Sequence, residues 1–194
     1  MAKENTRREY GKQPIALAPG GMATSTATLA KVPLASIDLE TVNLTVNRRK
    51  YQLQVEPNWP LRDVLREKLG LTSLKDFCNG YGACGSCTII MNGRPVLSCM
   101  LLAIECDGAI IETAEGIAES KHPLIEAYIM NWTAQCGYCI PGFLVTAKAL
   151  LDRNPDPTED EIKEALAGNL CRCGTYPAQI KAVQEAAKKL GERK

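Results

Sequence analysis

Eight of the nine cysteines fall into two tight groups of four, and these groups are the main chemical signal in the chain. The groups are Cys78, Cys84, Cys87 and Cys99, then Cys136, Cys139, Cys171 and Cys173, with Cys106 left over. Most neighbouring cysteines are separated by only one, two or five intervening residues, which is too close for a set of long-range disulfides. Thiolates gathered in fours are what zinc ions and iron–sulfur clusters select. We therefore predict two metal centres.

The first group lies in a glycine-rich stretch, Cys78-Asn-Gly-Tyr-Gly-Ala-Cys84-Gly-Ser-Cys87. Glycine permits positive φ angles and lets backbone N–H groups approach cluster sulfurs. Asn92-Gly93 predicts a two-residue hairpin, and counting outward along it brings Cys99 back beside Cys87. We therefore predict Cys99 as the fourth ligand and Cys106 as a buried structural thiol. The spacing matches the plant-type [2Fe–2S] pattern with one extra residue, and structural zinc is the alternative.

The second group combines Cys136-Gly-Tyr-Cys139 with Cys171-Arg-Cys173. The first pair precedes a predicted helix, where free N–H groups and the helix dipole favour thiolate. Two helix pairs packed side by side would bring the four sulfurs together. Taken alone, this group also allows a zinc site or a redox-active C-x-x-C pair. Two four-cysteine sites in one chain favour electron relay through a second [2Fe–2S] cluster.

The elements that must position the first group are predicted to be mostly strands. Alternating apolar residues indicate a strand on each side of a turn at Asn47-Arg48-Arg49, and a helix follows, with Gly70 as its cap. A cysteine-rich loop, the Asn92-Gly93 hairpin and a last β run at 109–113 complete the pattern. This predicts a small α+β domain over residues 38–117.

The second group is predicted to lie among four helices, over residues 118–194. Their start signals are His122-Pro123, Pro141, a Thr158–Glu161 capping box and Pro177, and Gly191 is predicted to close the last helix. The first helix is expected to place one apolar face inward, formed by Leu124, Ile125, Tyr128, Ile129 and Trp132. We predict His122 to be a capping or surface residue, Trp59 and Trp132 to pack in the core or an interface, and Glu112, Glu115 and Glu119 to be solvated surface.

Composition excludes several classes of protein. The 194 residues include 23 basic and 22 acidic side chains, so no basic field is available for nucleic acid or anionic lipid. No apolar run approaches the ~20 residues that span a bilayer. Residues 1–37 are predicted to form an N-terminal arm. Arg7-Arg8 raises twin-arginine export as an alternative, but the charged, proline and glycine residues after it interrupt the apolar stretch that a signal needs, so we predict a cytoplasmic protein.

Taken together, the motifs resemble the small iron–sulfur subunit of the molybdenum hydroxylases, which include xanthine dehydrogenase, aldehyde oxidoreductase, carbon monoxide dehydrogenase and 4-hydroxybenzoyl-CoA reductase. The resemblance is carried by Cys78-x5-Cys84-Gly-x-Cys87-Thr…Cys99, by Gln135-Cys-Gly-Tyr-Cys139-x-Pro-Gly and by Gly168-Asn-Leu-Cys-Arg-Cys173. It covers residues 38–190 and implies a plant-ferredoxin-like β-grasp domain followed by an all-α four-helix domain. Each domain would hold one [2Fe–2S] cluster.

The resemblance also implies partners and a direction of electron flow. A large subunit would bind a molybdopterin, in a dinucleotide form, and hydroxylate an aldehyde, N-heterocycle or aromatic compound with oxygen from water. Electrons would leave through the two clusters to an FAD subunit or a cytochrome. Gln135 and Cys139 match the positions that contact the pterin in the family, and no catalytic residue is expected on this chain. The alternative is a stand-alone ferredoxin-like carrier with a structural zinc in its helical domain.

Overall fold

Five strands form one mixed sheet in the first part of residues 38–192, the range that this computed structural model describes. The strands are β1 (Glu40–Val46), β2 (Arg49–Val55), β3 (Thr88–Met91), β4 (Arg94–Leu97) and β5 (Ile110–Glu112), in the spatial order β2-β1-β5-β3-β4. β1 runs parallel to β5, and the other neighbouring strands are antiparallel. Helix α1 (Leu61–Glu67) packs its buried side chains into the same core as β1. The predicted ferredoxin-like architecture is confirmed.

Both predicted hairpins are present, and both turn through residues with positive φ. Asn47 and Arg48 have φ angles of 48° and 68°, and Asn92 and Gly93 have 50° and 79°. Positive φ at both central residues is what type I′ turns require, and their twist matches that of the flanking strands. The second hairpin pairs Met91 with Arg94, as the count from Asn92-Gly93 predicts.

The predicted strand does not extend as far as Cys99. Strand pairing ends at Thr88 with Leu97, and Ser98–Met100 forms a 3₁₀ turn. The backbone N–H of Ser98 donates to the carbonyl oxygen of Cys87 at 3.3 Å, and the Ser98 hydroxyl donates to the same oxygen at 2.7 Å. This buried serine ends the ladder and starts the turn, so Cys99 is still delivered beside Cys87.

Five helices follow the sheet within the described residues: α2 (Ala114–Glu119), α3 (Pro123–Met130), α4 (Ile140–Arg153), α5 (Glu159–Leu166) and α6 (Tyr176–Glu192). The four predicted helices correspond to α3–α6, and the capping box at Thr158 is formed. His122 caps α3, since its Nδ1 accepts from the N–H of Leu124 at 3.3 Å. The six-residue helix α2 was not predicted. The prediction that Gly191 closes the last helix is wrong, because α6 continues to Glu192.

The apolar side chains form two cores that meet at β3. Ile89 belongs to the core of the sheet and α1, whereas the next residue, Ile90, belongs to the core of the helices. Side chains alternate between the two faces of a strand, so β3 serves both cores. Ala114 and Ile117 of α2 also lie in the helical core. A division between domains near residue 117 therefore stays a proposal.

Two expectations about surface residues are wrong. Ile129 and Trp132 do not lie on an inward face of this helix: Ile129 is within α3 but 69% exposed, and Trp132 lies beyond the helix end at Met130 and is 86% exposed. That Trp132 packs in an interface stays a prediction. Glu115 is not solvated surface, because its carboxylate accepts hydrogen bonds from the backbone and hydroxyl of Ser73 and from the hydroxyl of Thr113.

Some predictions concern residues that the structure does not describe. The N-terminal arm over residues 1–37 and its Arg7-Arg8 pair lie outside the described residues. Within residues 38–192, no helix combines the length and apolar character needed to cross a membrane.

Candidate metal centres

The loop from α1 to β3 and the 3₁₀ turn after β4 bring the first cysteine group together. The thiols of Cys78 and Cys84 are hydrogen-bonded to each other, and so are those of Cys99 and Cys87. Cys84 and Cys87 are buried, whereas Cys78 and Cys99 are partly exposed. Positive φ at Gly80, Gly82 and Gly85 lets the loop curl around these sulfurs, with angles of 80°, 68° and 72°.

Backbone N–H groups converge on the sulfurs of this loop. Burial alone would raise the pKa of Cys78, but hydrogen bonds from the backbone of Ala83, Tyr81 and Cys84 and from the Cys84 thiol outweigh it and lower the pKa. At Cys99, burial and then the thiol and charge of Cys87 raise the pKa to about 12. The loop therefore favours thiolate at Cys78 and disfavours it at Cys99, and the positive charge of a bound metal would offset the cost at Cys99.

Cys106 lies apart from these contacts, inside the core of the sheet domain. Its side chain is 3% exposed, and its Sγ donates to the carbonyl oxygen of Leu102 at 3.4 Å. Burial, followed by the charge of Glu105, raises the pKa of this thiol. The structure thus gives Cys99, and not Cys106, the position beside Cys87.

The second cysteine group is assembled where two helix connections meet. Cys136 and Cys139 lie between α3 and α4, with Cys139 at the N-cap of α4, and Cys171 and Cys173 lie between α5 and α6. The thiols of Cys139 and Cys171 are hydrogen-bonded to each other. Cys139 and Cys171 are buried, whereas Cys136 and Cys173 are exposed. The helix pairing that the sequence predicts is therefore present.

The two buried thiols of this group have opposite pKa shifts. Burial would raise the pKa of Cys171, but the hydroxyl of Thr175, 3.2 Å from the sulfur, and the N–H of the same residue, at 3.5 Å, lower it to about 7. At Cys139, burial and then the thiol and charge of Cys171 raise the pKa to about 12. Local donors therefore favour thiolate at Cys171, and a nearby cation would favour it at Cys139.

Unpaired buried polar atoms border both groups. In residues 38–192 such side-chain atoms are Ser86 Oγ, Tyr128 Oη and Gln179 Oε1. Ser86 lies between Cys84 and Cys87 in the chain. The charge of Cys139 acts on Tyr128. The side-chain amide of Gln179 donates to the hydroxyl of Thr175, which contacts the Cys171 sulfur. An unpaired buried polar group costs about 1–3 kcal/mol. Their clustering here fits a bound group with acceptor sulfurs.

The number and pairing of the eight cysteines bear on the kind of metal group that they could hold. Among the described residues, no set of three or more His, Cys, Asp and Glu side chains is placed to hold a single metal ion. A [2Fe–2S] cluster instead distributes four thiolates over two irons. The eight cysteines fit two such clusters by number, by pairwise contact and by the N–H donors around them, and their assignment as ligands stays a prediction.

The two centres contact each other through backbone. The N–H of Leu170, the residue before Cys171, donates to the carbonyl oxygen of Cys84 at 2.9 Å. The side-chain amide of Asn169 donates to the carbonyl oxygen of Gly85 at 3.2 Å. A Cβ at Gly142 would collide with the same Gly85 oxygen. The loops approach this closely because residues 85 and 142 are glycines, which have no Cβ.

The two predicted pterin positions share one loop but differ in exposure. Gln135 is exposed, and Cys139 is buried at the start of α4. Tyr138 lies between these two residues in the chain. Its hydroxyl donates to the carbonyl oxygen of Asp76 at 3.1 Å, so this loop is hydrogen-bonded to the segment that leads into the first cysteine group. The role of Gln135 and Cys139 stays a prediction.

Sequence reasoning missed Ser86, Asn169 and Tyr128 as residues of the site. Ser86 and Asn169 lie inside the cysteine motifs, so their position was a usable signal. Tyr128 gave none, because a tyrosine on the apolar face of a helix is ordinarily a core residue.

Two family models match most of the described chain. Residues 44–110 match the 2Fe-2S iron-sulfur cluster binding domain, and residues 113–184 match the [2Fe-2S] binding domain. The chain therefore contains two [2Fe–2S] binding domains.

Curated relatives with high similarity are subunits of oxidoreductases. The nicotinate dehydrogenase small FeS subunit of Eubacterium barkeri is 48% identical over 151 residues, covering 77% of this chain and 96% of the relative. The aldehyde oxidoreductase iron-sulfur-binding subunit PaoA of Escherichia coli strain K12 is 37% identical over 202 residues, covering 94% and 88%.

Solved structures agree with these relatives in fold. Quinoline 2-oxidoreductase from Pseudomonas putida 86 superposes with a TM-score of 0.76 at 39% identity, over 80% of this chain and 98% of that one. The aldehyde oxidoreductase of Desulfovibrio desulfuricans also gives 0.76, at 42% identity, over 80% of this chain and 18% of that longer one.

Proposed function

Because this chain belongs to the small iron–sulfur subunits of the molybdenum hydroxylase family, we propose that it relays electrons from a molybdopterin site on a large partner subunit, through two [2Fe–2S] clusters, to an FAD subunit or a cytochrome. The electron-transfer role follows from the family. The ligand assignments, the partners, the acceptor and the substrate class are our proposal. The chain would act as part of an enzyme and carry no substrate site of its own.

The observation that carries the proposal is the hydrogen bond from the N–H of Leu170 to the carbonyl oxygen of Cys84 at 2.9 Å. Cys84 is a proposed ligand of the first cluster, and Leu170 is bonded to Cys171, a proposed ligand of the second. A single hydrogen bond therefore joins the two ligand sets through backbone atoms. A relay through both clusters requires such proximity of the two ligand sets.

The residues of the chain have separable tasks in this scheme. When bound, each [2Fe–2S] cluster supplies one-electron storage. Four thiolates hold each centre, and backbone N–H groups such as those of Ala83 and Thr175 stabilise the negative charge that accumulates on sulfur. The buried cysteines would lie on the side of each cluster that faces the protein interior, away from water; they are Cys84, Cys87, Cys139 and Cys171. The more exposed cysteines would lie on the side of each cluster that faces solvent or a partner.

The exposed parts of the two loops suggest a direction for the electrons. We place the exposed Gln135 loop against the pterin of the large subunit, so the second centre receives electrons first. The loop from Cys78 to Gly85, with Tyr81 81% exposed at its tip, would then face the acceptor. A substrate among aldehydes, N-heterocycles and aromatic compounds is supported by relatives named for nicotinate, nicotine and aldehydes. A cytoplasmic location is supported by the interrupted apolar stretch after Arg7-Arg8.

Purification of the native complex tests the proposal. An affinity tag on this chain should co-purify a large subunit that carries molybdenum and a pterin dinucleotide. Adding nicotinate or an aldehyde without acceptor should bleach the visible absorbance of both clusters. Recovery of the chain alone, with about two irons and one zinc, would instead support the stand-alone carrier.

A further inference from the structure

Tyr128 on α3 carries a hydroxyl that makes no hydrogen bond within residues 38–192. Its side chain is buried, with 5% exposed, and Tyr128 Oη has no hydrogen-bond partner within residues 38–192. A phenol is ordinarily paired when buried, because an unpaired hydroxyl loses its hydrogen bonds to water without replacement. The hydroxyl therefore indicates a partner that residues 38–192 do not supply.

The position of Tyr128 is fixed by its own backbone. Its carbonyl oxygen accepts from the N–H of Thr133 at 3.3 Å and from the hydroxyl of Thr133 at 3.0 Å. These bonds tie the end of α3 to the segment that leads into Cys136 and Cys139. Tyr128 and Cys139 belong to one core, and the ring lies close enough to the Cys139 sulfur to respond to its charge.

The hydroxyl is restricted to the role of donor. A phenol has an ordinary pKa of about 10, so the Tyr128 hydroxyl keeps its proton near neutral pH and can donate it. A protonated phenol beside a thiolate donates an O–H···S hydrogen bond.

One other acceptor could compete for this proton. Gln179 Oε1 is buried and also unpaired, while the amide nitrogen of Gln179 is occupied by the carbonyl of Thr133 and the hydroxyl of Thr175. In this structure Tyr128 Oη is hydrogen-bonded neither to that oxygen nor to the Cys139 sulfur. The sulfur of Cys139 is negatively charged when it binds iron, which makes it the stronger acceptor.

We propose that the Tyr128 hydroxyl donates a hydrogen bond to the Cys139 sulfur of the loaded second centre and thereby raises the reduction potential of that centre. The inference rests on the proposed function, because it requires a [2Fe–2S] cluster at Cys136, Cys139, Cys171 and Cys173. Reduction adds negative charge to the cluster, and a donated hydrogen bond stabilises that charge more in the reduced state than in the oxidised state. Tyr128 is a tuning residue in this role and takes no part in substrate chemistry.

The test is an EPR-monitored redox titration of the full chain loaded with both clusters. Tyr128→Phe keeps the ring and removes only the hydroxyl. We expect the equilibrium constant for one-electron reduction of the second cluster to fall about tenfold, which corresponds to a reduction potential about 59 mV lower. The first cluster serves as an internal control and should not shift. Tyr51→Phe, on β2 and packed against the other core, is the matched control and should leave both potentials unchanged.

A second readout separates a hydrogen bond from mere packing. Deuterium ENDOR on the reduced second cluster in D₂O should show one exchangeable deuteron that disappears in Tyr128→Phe and stays in Tyr51→Phe. An unchanged potential together with an unchanged ENDOR spectrum would overturn the inference and assign the proton to Gln179 or a buried water. The wild-type iron count decides the proposed function separately. A chain with only one cluster overturns both proposals, and two clusters with no shift in Tyr128→Phe overturn this one alone.

Discussion

Each cysteine group combines two buried thiols with two that reach solvent, and this split sets what each residue can do. Cys84 and Cys87 lie inside the first group, and Cys139 and Cys171 lie inside the second. In the first group each buried thiol is paired with a partly exposed one, and in the second group the two buried thiols are paired with each other. The buried thiols form the inner edge of each centre. The outer thiols leave the opposite edge accessible for electron entry or exit.

The choice between Cys99 and Cys106 gives a direct prediction at the residue scale. Cys99→Ala should lose the first cluster and about half of the iron, because one of four thiolates is missing. Cys106→Ala is the matched control and should keep all of the iron, at the cost of a small cavity and about 1–2 kcal/mol of unfolding free energy. Iron analysis and EPR measure both. The reverse result, with iron lost only in Cys106→Ala, would make Cys106 the ligand.

Glu115 gives a pH-dependent prediction. Burial would raise the pKa of this carboxyl, but bonds from Ser73 and Thr113 outweigh it and hold the pKa below its ordinary value near 4.5. A lowered folded-state pKa means that the stabilisation is complete above about pH 4.5 and is lost as the pH falls through the folded value. We expect Glu115→Gln to cost about 1–3 kcal/mol at pH 7, and the cost should shrink below pH 4.5.

Thermal unfolding followed by circular dichroism at a series of pH values measures this difference. Cluster absorbance is recorded in parallel, so that only samples with intact clusters are compared. Glu119→Gln, whose carboxylate forms only a 3.9 Å exposed ion pair with Arg49, is the control. A wild-type advantage that stays constant from pH 7 to pH 4 would contradict the assigned role of Glu115.

Sequence reasoning at this scale succeeds for residues whose chemistry is encoded by spacing. The cysteine groups are visible because thiols at ligand spacing have few other uses. Glu115 was misjudged because its surroundings come from a distant segment, the loop at Ser73. The inward position of Trp132 was misjudged because α3 ends two residues earlier, at Met130. No local pattern reports such contacts.

At the scale of elements, β3 and α4 join the two halves of the molecule. Ile90 of β3 packs in the helical core, and Lys148 of α4 forms an ion pair with Glu112 of β5 at 3.1 Å. The start of α4 also touches the first cysteine loop, because Gly142 lies against the carbonyl oxygen of Gly85. The two centres are therefore positioned by the contacts of β3, β5 and the first cysteine loop with the helices, chiefly α4.

Replacing Gly142 tests this contact. Alanine favours a helix over glycine by about 0.5–1 kcal/mol, but its Cβ would collide with a backbone oxygen that cannot rotate away. Overpacking of this kind costs about 1–3 kcal/mol, so the net effect of Gly142→Ala should be destabilising. It should also weaken magnetic coupling between the two reduced clusters, since the loops move apart.

Gly191→Ala is the matched control. This residue is also helical, but a Cβ there meets nothing within 4 Å, so the substitution should be neutral or slightly stabilising. Denaturant unfolding and the EPR spectrum of the reduced chain measure both effects. Equal stability and equal spin coupling in the two variants would show that Gly142 does not set the distance between the loops.

Most elements were predictable because their signals are local. Asn92-Gly93 and the Thr158–Glu161 capping box each specify a turn or helix start within four residues. Helix α2 has only six residues and directly follows β5, so its period is too short to detect. The 3₁₀ turn at Ser98 depends on a buried hydroxyl bond to Cys87, which alternation along a strand cannot show.

At the scale of the whole molecule, the chain is a scaffold that holds two cysteine sites against each other. The hydrogen bond between Leu170 and Cys84 links the sites, and Asn169 adds a second bond to Gly85. Neither contact was predictable from the sequence, because the two loops are about eighty residues apart and each motif specifies only its own fold. The two family models match the regions that contain the two cysteine motifs, and these hydrogen bonds hold the two motifs together.

The most direct test of this account counts iron, acid-labile sulfide and zinc in the purified full chain and records EPR after dithionite reduction. We expect about four irons, about four sulfides and no stoichiometric zinc, with two distinct S = 1/2 signals that broaden one another. A colourless, EPR-silent chain, or one with about two irons and one zinc, would contradict the claim that the eight cysteines hold two adjacent [2Fe–2S] clusters.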